Sequence, residues 1–227
     1  GVPGIKRESI FHALNQKAVA RRYAKSIGKK YEELNLIVVH LGGGISVGAH
    51  RKGLVIDVNN ALNGEGPISP ERAGTVPSEA LATLCFSGKY TLNEVKKMLH
   101  GKAGLAAYLG TSDMITIEEK AIEGKEPYKT LVAAMDYTVA KEIGAMFVAL
   151  KGQCDAIILT GGIAYSDYCV ADIKEQIEYL CKVVVLPGEN EMESLAENAF
   201  GALTGELPVL TYTGVSCAEE IPGMAEA

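Results

Sequence analysis

Three short apolar runs stand so close together that they leave one way to pair. Residues 36–41 (LIVVHL), 45–49 and 54–58 are joined only by Gly42-Gly43-Gly44 and Arg51-Lys52-Gly53. A parallel crossover needs about a dozen residues or more, so these three strands must form an antiparallel meander. The rest of the chain changes rhythm. Residues 9–28 read as a helix, with Phe11, Leu14, Ala18 and Tyr23 at rough helical spacing and Gly28 as a stop. Residues 59–77 form a loop stiffened by glycine and proline, long enough to suggest a purpose. A helix is expected over 78–86, capped by Ser78. A second follows, with Thr91 and Glu94 as a capping box, ending near Gly101. Residues 104–113 read as a loop.

The second half alternates. A long helix over 127–151 carries Leu131, Met135, Val139, Ile143, Met146 and Leu150 on one face. A buried strand follows at 156–160 (AIILT), then a helix over 166–180, a strand at 183–186 and a helix over 192–203. Three strands, helices, then strand-helix-strand-helix is the order of an α/β ribonuclease-H-like domain. That domain is the unit of the actin, sugar-kinase and acetate-kinase superfamily: a mixed sheet with three antiparallel strands followed by β-α-β units. The polar residues 211–227 read as a loose tail.

Bulk properties exclude several classes. The 227 residues carry a net charge of −6, with no cluster of Lys and Arg to face nucleic acid. No run approaches the ~18 apolar residues of a membrane helix, and no signal peptide opens the chain. Five cysteines form no CxxC pair, and Cys154, Cys169 and Cys181 sit in or beside apolar stretches. A reduced, cytoplasmic setting is expected. The chain starts with Gly and enters a helix almost at once, which reads as a piece of a longer protein.

Four motifs carry chemistry. In His40-Leu41-Gly42-Gly43-Gly44-Ile45-Ser46-Val47, a buried strand delivers a glycine turn into a second strand. Glycine permits positive φ and close ligand approach, and successive amides attract phosphate oxygens. A plain hairpin is the alternative, but three glycines exceed what a hairpin needs. No helix follows, so this is neither a Walker loop nor a dinucleotide fingerprint. The loop over 57–77 holds Glu65, Glu71 and Arg72, and a guanidinium suits a transferring phosphoryl group. Otherwise these are solvated loop charges. The turn Thr160-Gly161-Gly162-Ile163-Ala164 is expected where the sheet meets a helix N-terminus, a natural anion site, with close helix–strand packing as the plainer account. In 187–193 (PGENEME), acidic residues stabilise a helix start or hold Mg²⁺.

The stretch over 9–23 (SIFHALNQKAVARRY), the turn after His40, the segment Ser69-Pro70-Glu71-Arg72-Ala73-Gly74-Thr75 and the Gly161-Gly162 turn together resemble the butyrate and branched-chain fatty-acid kinases. These are relatives of acetate kinase, and the likeness runs in register from about residue 4 to about residue 210. The resemblance implies two ribonuclease-H-like domains around a cleft, of which this chain is the C-terminal, nucleotide-binding portion. Residues 1–30 would then be a connecting segment and 31–210 the nucleotide-binding domain. The implied reaction is reversible transfer of the ATP γ-phosphoryl to butanoate, giving butanoyl phosphate and ADP, with Mg²⁺ as cofactor and a homodimer as the assembly.

Residue by residue, the likeness gives Arg72 and His12 as catalytic groups on the transferring phosphoryl. It gives His40 and Gly42, Gly43 and Gly44 as the phosphate site. Asp113, Gly161, Gly162, Ile163 and Ala164 are the nucleotide contacts, and Glu191 is the metal ligand, its alignment open by two residues. Acetate kinases carry Asn where Gly43 stands and an arginine where Ile115 stands, so an apolar adenine contact is expected here. Gly43 and the Asn59-Asn60 segment favour the longer-chain branch. The rivals are an acetate or propionate kinase and a non-catalytic, actin-like nucleotide-binding module. The long helix over 127–151 is open between a dimer interface and the core. Alone, the chain is expected to be inactive or nearly so and to bind nucleotide weakly.

Overall fold

A computed structural model describes residues 2–5, 7–189, 191–209 and 211. The expected tail over 211–227 lies outside the described residues apart from residue 211. The chain divides into two units, one running from Ser9 to Asn190 and another holding the described residues of 2–8 and 191–211.

The larger unit is built on five strands: β1 (Asn35–Leu41), β2 (Ile45–Arg51), β3 (Leu54–Val58), β4 (Ala156–Thr160) and β5 (Val183–Val185). Their order is β3-β2-β1-β4-β5. The first three are antiparallel, and β4 and β5 run parallel to β1. This is the mixed sheet that the spacing of apolar runs demands. The helices are α1 (Ala13–Ser26), α2 (Ser78–Cys85), α3 (Leu92–Leu99), α4 (Gly104–Leu109), α5 (Met114–Ile122), α6 (Tyr128–Ala149) and α7 (Asp167–Ile177). The smaller unit contains α8 (Glu191–Thr204).

Side chains alternate across a strand, so each strand serves two layers. Ile37, Val39 and Leu41 of β1 join Met135, Val139 and Ile143 of α6 in one core. Leu36 and Val38 join Val19, Ala20 and Tyr23 of α1 in a second core on the opposite face. The long helix α6 is thus a core helix through the face whose spacing left its role open.

Two expectations fail. Residues 104–113 are not a loop, because α4 begins there, and α5 was not anticipated. The positive φ of Gly104, at 60°, lets α4 start hard against the loop before it. A side chain at 104 would collide with the Ser69 and Arg72 carbonyls. Helix α5 has only nine residues and carries its signal in the Asp113 cap, which the reading of 104–113 as loop passed over. The helix from 78 is also preceded by Pro77 in the capping position, with Ser78 already helical. The capping box at Thr91 and Glu94 is present. Cys85, Cys154, Cys169 and Cys181 are free thiols, and Cys217 lies outside the described residues.

Candidate active site

The glycine turn closes the edge where β1 ends. None of Gly42, Gly43 and Gly44 has positive φ, contrary to the conformational argument for them. Space is tight at two of the three. A Cβ on Gly42 would lie 3.1 Å from His40 Nε2, and one on Gly44 would lie 3.3 Å from the Ala61 carbonyl and 3.7 Å from Arg72 Nε. The Gly43 carbonyl accepts from the Ser69 hydroxyl at 2.7 Å and from the Glu71 amide at 3.1 Å. These two bonds pin the 69–72 loop to the turn.

That loop is also braced from behind. Ser69 and Pro70 carbonyls accept from the Leu105 and Ala106 amides of α4, and the Glu71 carbonyl accepts from Gly101. Arg72 is therefore delivered to Gly44 by a backbone fixed on two sides. Its side chain is only 22% exposed, and Nε is buried with no protein partner. An orphaned buried donor costs about 1–3 kcal/mol, so a site that keeps one is arranged for an acceptor that arrives later. The nearest carboxylate oxygen, on Glu71, is 3.7 Å from Nη1. At that distance, and partly exposed, the pair is weakly coupled.

His12 precedes α1 and stacks on His40, ring centroids 3.8 Å apart and 14° from parallel. Strand alternation explains the meeting, because His40 follows Leu36 and Val38 on the face that α1 covers. His12 Nδ1 lies 2.9 Å from the Ser46 hydroxyl. His40 Nδ1 lies 2.9 Å from Asn15 Oδ1. Burial, and secondarily the neighbouring His12, pull the His40 pKa down to about 3. The 3.7 Å approach of Glu189 Oε1 to His40 Nε2 is therefore not an ion pair at neutral pH. Burial is the stronger effect, since Glu189 is 54% exposed and water screens it.

The second glycine turn adjoins the first. Gly161 has φ 91°, and a side chain there would strike the Leu41 backbone one residue before Gly42. Gly161 and Gly188 exchange two backbone hydrogen bonds, at 3.1 and 3.2 Å. The Thr160 hydroxyl also donates to the Gly188 carbonyl. Gly162 faces open space, while Ile163 and Ala164 are buried. The expected helix N-terminus is not there. Ile163–Tyr165 form a 3-10 turn, and α7 starts only after Ser166 caps it. The Ser166 hydroxyl is a better N-terminal acceptor than anything in the glycine turn.

The structure thus brings Arg72, Gly42–Gly44, His40 and His12 into contiguous contact, with Gly161 joined through Leu41. No described contact links Arg72 directly to Gly161. Asp113 is exposed and caps α5, accepting from Thr116 Oγ1 at 2.6 Å and the Ile115 amide at 3.3 Å. Those bonds, the Thr116 hydroxyl foremost, hold its carboxyl below the usual range. Its neighbour Ser112 donates to Glu71 at 3.2 Å, which ties the segment to the Arg72 loop. Ile115 is 72% exposed. The side chain of Glu191 lies outside the described residues. Asn59 is committed to the β2 backbone, accepting from the Val47 amide and donating to the Ile45 carbonyl, so it is not a substrate contact.

Sequence reasoning missed Asn15, Gln16 and Ser46. The available signal was polar residues at alternate positions of a buried strand, Ser46 and His50, facing a helix that carries His12, Asn15 and Gln16.

Comparison with known proteins gives the family. The sequence matches the acetokinase family over residues 3–201. It is 72% identical over 212 residues to a probable butyrate kinase of Phocaeicola vulgatus, and 55% identical to one of Bacteroides thetaiotaomicron. The chain spans 60% of the length of each relative, and 93% of the chain is matched. Among solved structures it resembles Porphyromonas gingivalis acetate kinase, with TM-score 0.76, 22% identity and coverage of 87% of this chain and 56% of that one. It also resembles a propionate kinase of Francisella tularensis, with TM-score 0.72, 22% identity and coverage of 81% and 53%. At such identities these two likenesses speak for the fold, an actin-like α/β arrangement, whereas the family match spans both glycine turns, the Arg72 loop and the paired histidines. The chain belongs to the acetokinase family.

Proposed function

We propose that this chain is the nucleotide-binding part of a short-chain fatty-acid kinase that transfers phosphate reversibly between ATP and butanoate. Its nucleotide-binding domain is taken as residues 31–210 and the segment leading into it as 1–30, although α1 of that segment packs on the sheet and the compact unit runs from Ser9 to Asn190. The name shared by its two relatives supports the acyl class. The observation that carries the chemistry is the buried Arg72 guanidinium, its Nε without a partner, beside the Gly42–Gly44 turn and the stacked histidines.

Two anions must meet, a carboxylate and a triphosphate. The transferring phosphoryl spreads charge over its equatorial oxygens, so positioning and electrostatics supply most of the catalysis. Arg72 donates to those oxygens, and His12 supplies a second donor. The Gly42–Gly44 and Gly161–Gly162 turns let phosphates approach the backbone, with Ile163 and Ala164 beneath the nucleoside and Asp113 at its edge. No base is needed, because a carboxylate is already ionised at neutral pH.

Among the described residues no group of three or more His, Cys, Asp or Glu side chains forms a metal cage. That fits Mg²⁺, which takes one or two carboxylates and fills its remaining positions with phosphate oxygens and water. Glu71 and Glu189 are the described carboxylates beside the turn, and Glu191 is the residue the resemblance assigns. When bound, the ion screens the charge between the two substrates. The working assembly is a cytoplasmic homodimer that includes the remainder of the relatives' length.

The test uses the enzyme at the full length of its relatives. Arg72→Ala is expected to lower kcat by about 100-fold or more while nucleotide affinity changes much less. Turnover within roughly threefold of the unmodified enzyme defeats the assignment. For the present chain, calorimetry with Mg-ADP reads nucleotide binding without catalysis. No heat at millimolar nucleotide would exclude an autonomous nucleotide module. Phosphorylation of acetate or propionate in preference to butanoate would move the chain to that branch.

A further inference from the structure

We infer that Asn15 and Gln16, neighbours on the first turn of α1, are positioning residues that hold the two stacked histidines in opposite tautomers, His40 protonated at Nδ1 and His12 at Nε2. The inference deepens the proposed function, and rests on it only for what the His12 proton does.

The chain of donors is fixed at each end by groups that can only accept. Asn15 Nδ2 donates to the Glu189 carbonyl at 2.7 Å. A carbonyl has no proton to give, so the amide cannot be turned over, and Oδ1 is the atom facing His40. His40 Nδ1, 2.9 Å away, must carry the proton. Its Nε2 is left as a lone pair aimed past Gly42.

Gln16 is oriented by the same logic. Its Nε2 donates to the Ser46 carbonyl at 3.2 Å and to the Ser46 hydroxyl at 2.8 Å. Its Oε1 therefore faces His50 Nε2, at 2.9 Å, which donates. His50 Nδ1 then accepts from the Tyr31 hydroxyl at 2.7 Å. Ser46 is fully buried, and its oxygen already accepts from Gln16. The remaining neighbour for its proton is His12 Nδ1, at 2.9 Å. A buried hydroxyl does not leave its proton idle, so His12 Nδ1 accepts and the ring proton sits on Nε2. Gly48 makes room for this arrangement, since a side chain there would strike Gln16 Oε1.

The stacked pair is thereby divided in labour. His12 presents an N–H and can donate to a phosphoryl oxygen. His40 presents a lone pair, donates nothing toward phosphate while neutral, and serves as the platform on which His12 rests. The phosphate-binding role expected of His40 passes to His12.

Long-range ¹H–¹⁵N correlations on the labelled chain, which has four histidines, read each tautomer directly at neutral pH. The expected pattern is Nδ1–H for His40 and Nε2–H for His12 and His50. A solvated neutral histidine side chain favours Nε2–H, so His40 is the diagnostic ring. Asn15→Leu removes the acceptor and is expected to convert His40 to Nε2–H. Finding His40 as Nε2–H or His12 as Nδ1–H in the unmodified chain overturns the inference, and this measurement decides even if Asn15→Leu does not fold. Persistence of Nδ1–H in a folded Asn15→Leu overturns it too. In the longer enzyme, Asn15→Leu is expected to lower kcat roughly tenfold, with nucleotide KM within about twofold; an unchanged kcat removes the positioning role. If the tautomers are as assigned but the longer enzyme transfers no phosphoryl group, the proposed function fails and this assignment stands.

Discussion

The two faces of one sheet make unlike environments from the same strands. On the α6 face, β1 and β2 present Ile37, Val39, Leu41, Ile45, Val47 and Ala49, all buried and apolar. On the α1 face the same strands present Leu36 and Val38, then His40, Ser46, Gly48 and His50. The first face supplies burial. The second gives up part of that burial for a hydrogen-bonded run from Tyr31 through His50, Gln16 and Ser46 to His12. Each member is satisfied, which is the condition under which a buried polar network orders a site instead of weakening it. Even the dry face has one polar intruder, Asp136 on α6, whose two carboxylate oxygens have no partner.

The largest expected effect breaks the dry face. Leu159→Ala removes a fully buried side chain of β4 and should cost about 2–5 kcal/mol by urea unfolding. In the longer enzyme, activity per folded molecule should hardly change. Next comes the polar face. Gly48→Ala drives a methyl group into Gln16, and overpacking of this kind costs about 1–3 kcal/mol. Here stability and turnover should fall together, because Gln16 supports Ser46 and His12. If Gly48→Ala spares turnover, the two faces do not differ in function.

The faces should also differ in how they respond to pH. Burial, aided by Asp172, pushes Asp136 up to about 8. Its folded pKa lies above the unfolded value, so the folded state holds the extra proton. Stability from this group is full below about pH 4 and is lost as pH rises toward 8, by up to ~1.4 kcal/mol per pH unit. His40 and His50 have the opposite sign. Burial lowers them to about 3 and about 4. The unfolded chain takes up their protons first, so stability falls as pH drops below about 6.5. Together these place the maximum near pH 6.5, and Asp136→Asn should flatten the alkaline limb up to about pH 8 and steepen the acid limb between about pH 4 and 6.5, where the two signs oppose each other. Thermal unfolding across pH checks both limbs.

The smallest effect is expected at Asp113. Asn is an equally good N-cap, so Asp113→Asn should leave the melting temperature unchanged. A loss of nucleotide affinity in that variant would then belong to a nucleotide contact and not to the helix.

Much of this architecture can be read from local pattern. The short links between residues 36 and 58 leave only the antiparallel meander, and AIILT after a long helix leaves only a parallel return. Arg72, His12 and the two glycine turns were legible because motif and order coincide in a family. Less legible was why each residue sits where it does. Gly42 and Gly44 are crowded positions rather than positions of positive φ, and that crowding depends on Arg72, Ala61 and His40 arriving from elsewhere. Helix α4 is hidden because its first residue needs a carbonyl-lined niche made by the 69–72 loop.

The sequence by itself determined the antiparallel meander, the alternation of strands and helices after it and the residue types available for phosphate chemistry, since these follow from spacing along the chain. Only the tertiary structure decided which partners face His12, His40 and His50, from which their tautomers are inferred, and that Asn15, Gln16 and Ser46 meet them. Hydrogen-bond polarity is fixed by partners that meet across 19 to 174 residues of chain, and no local pattern encodes which of them will meet.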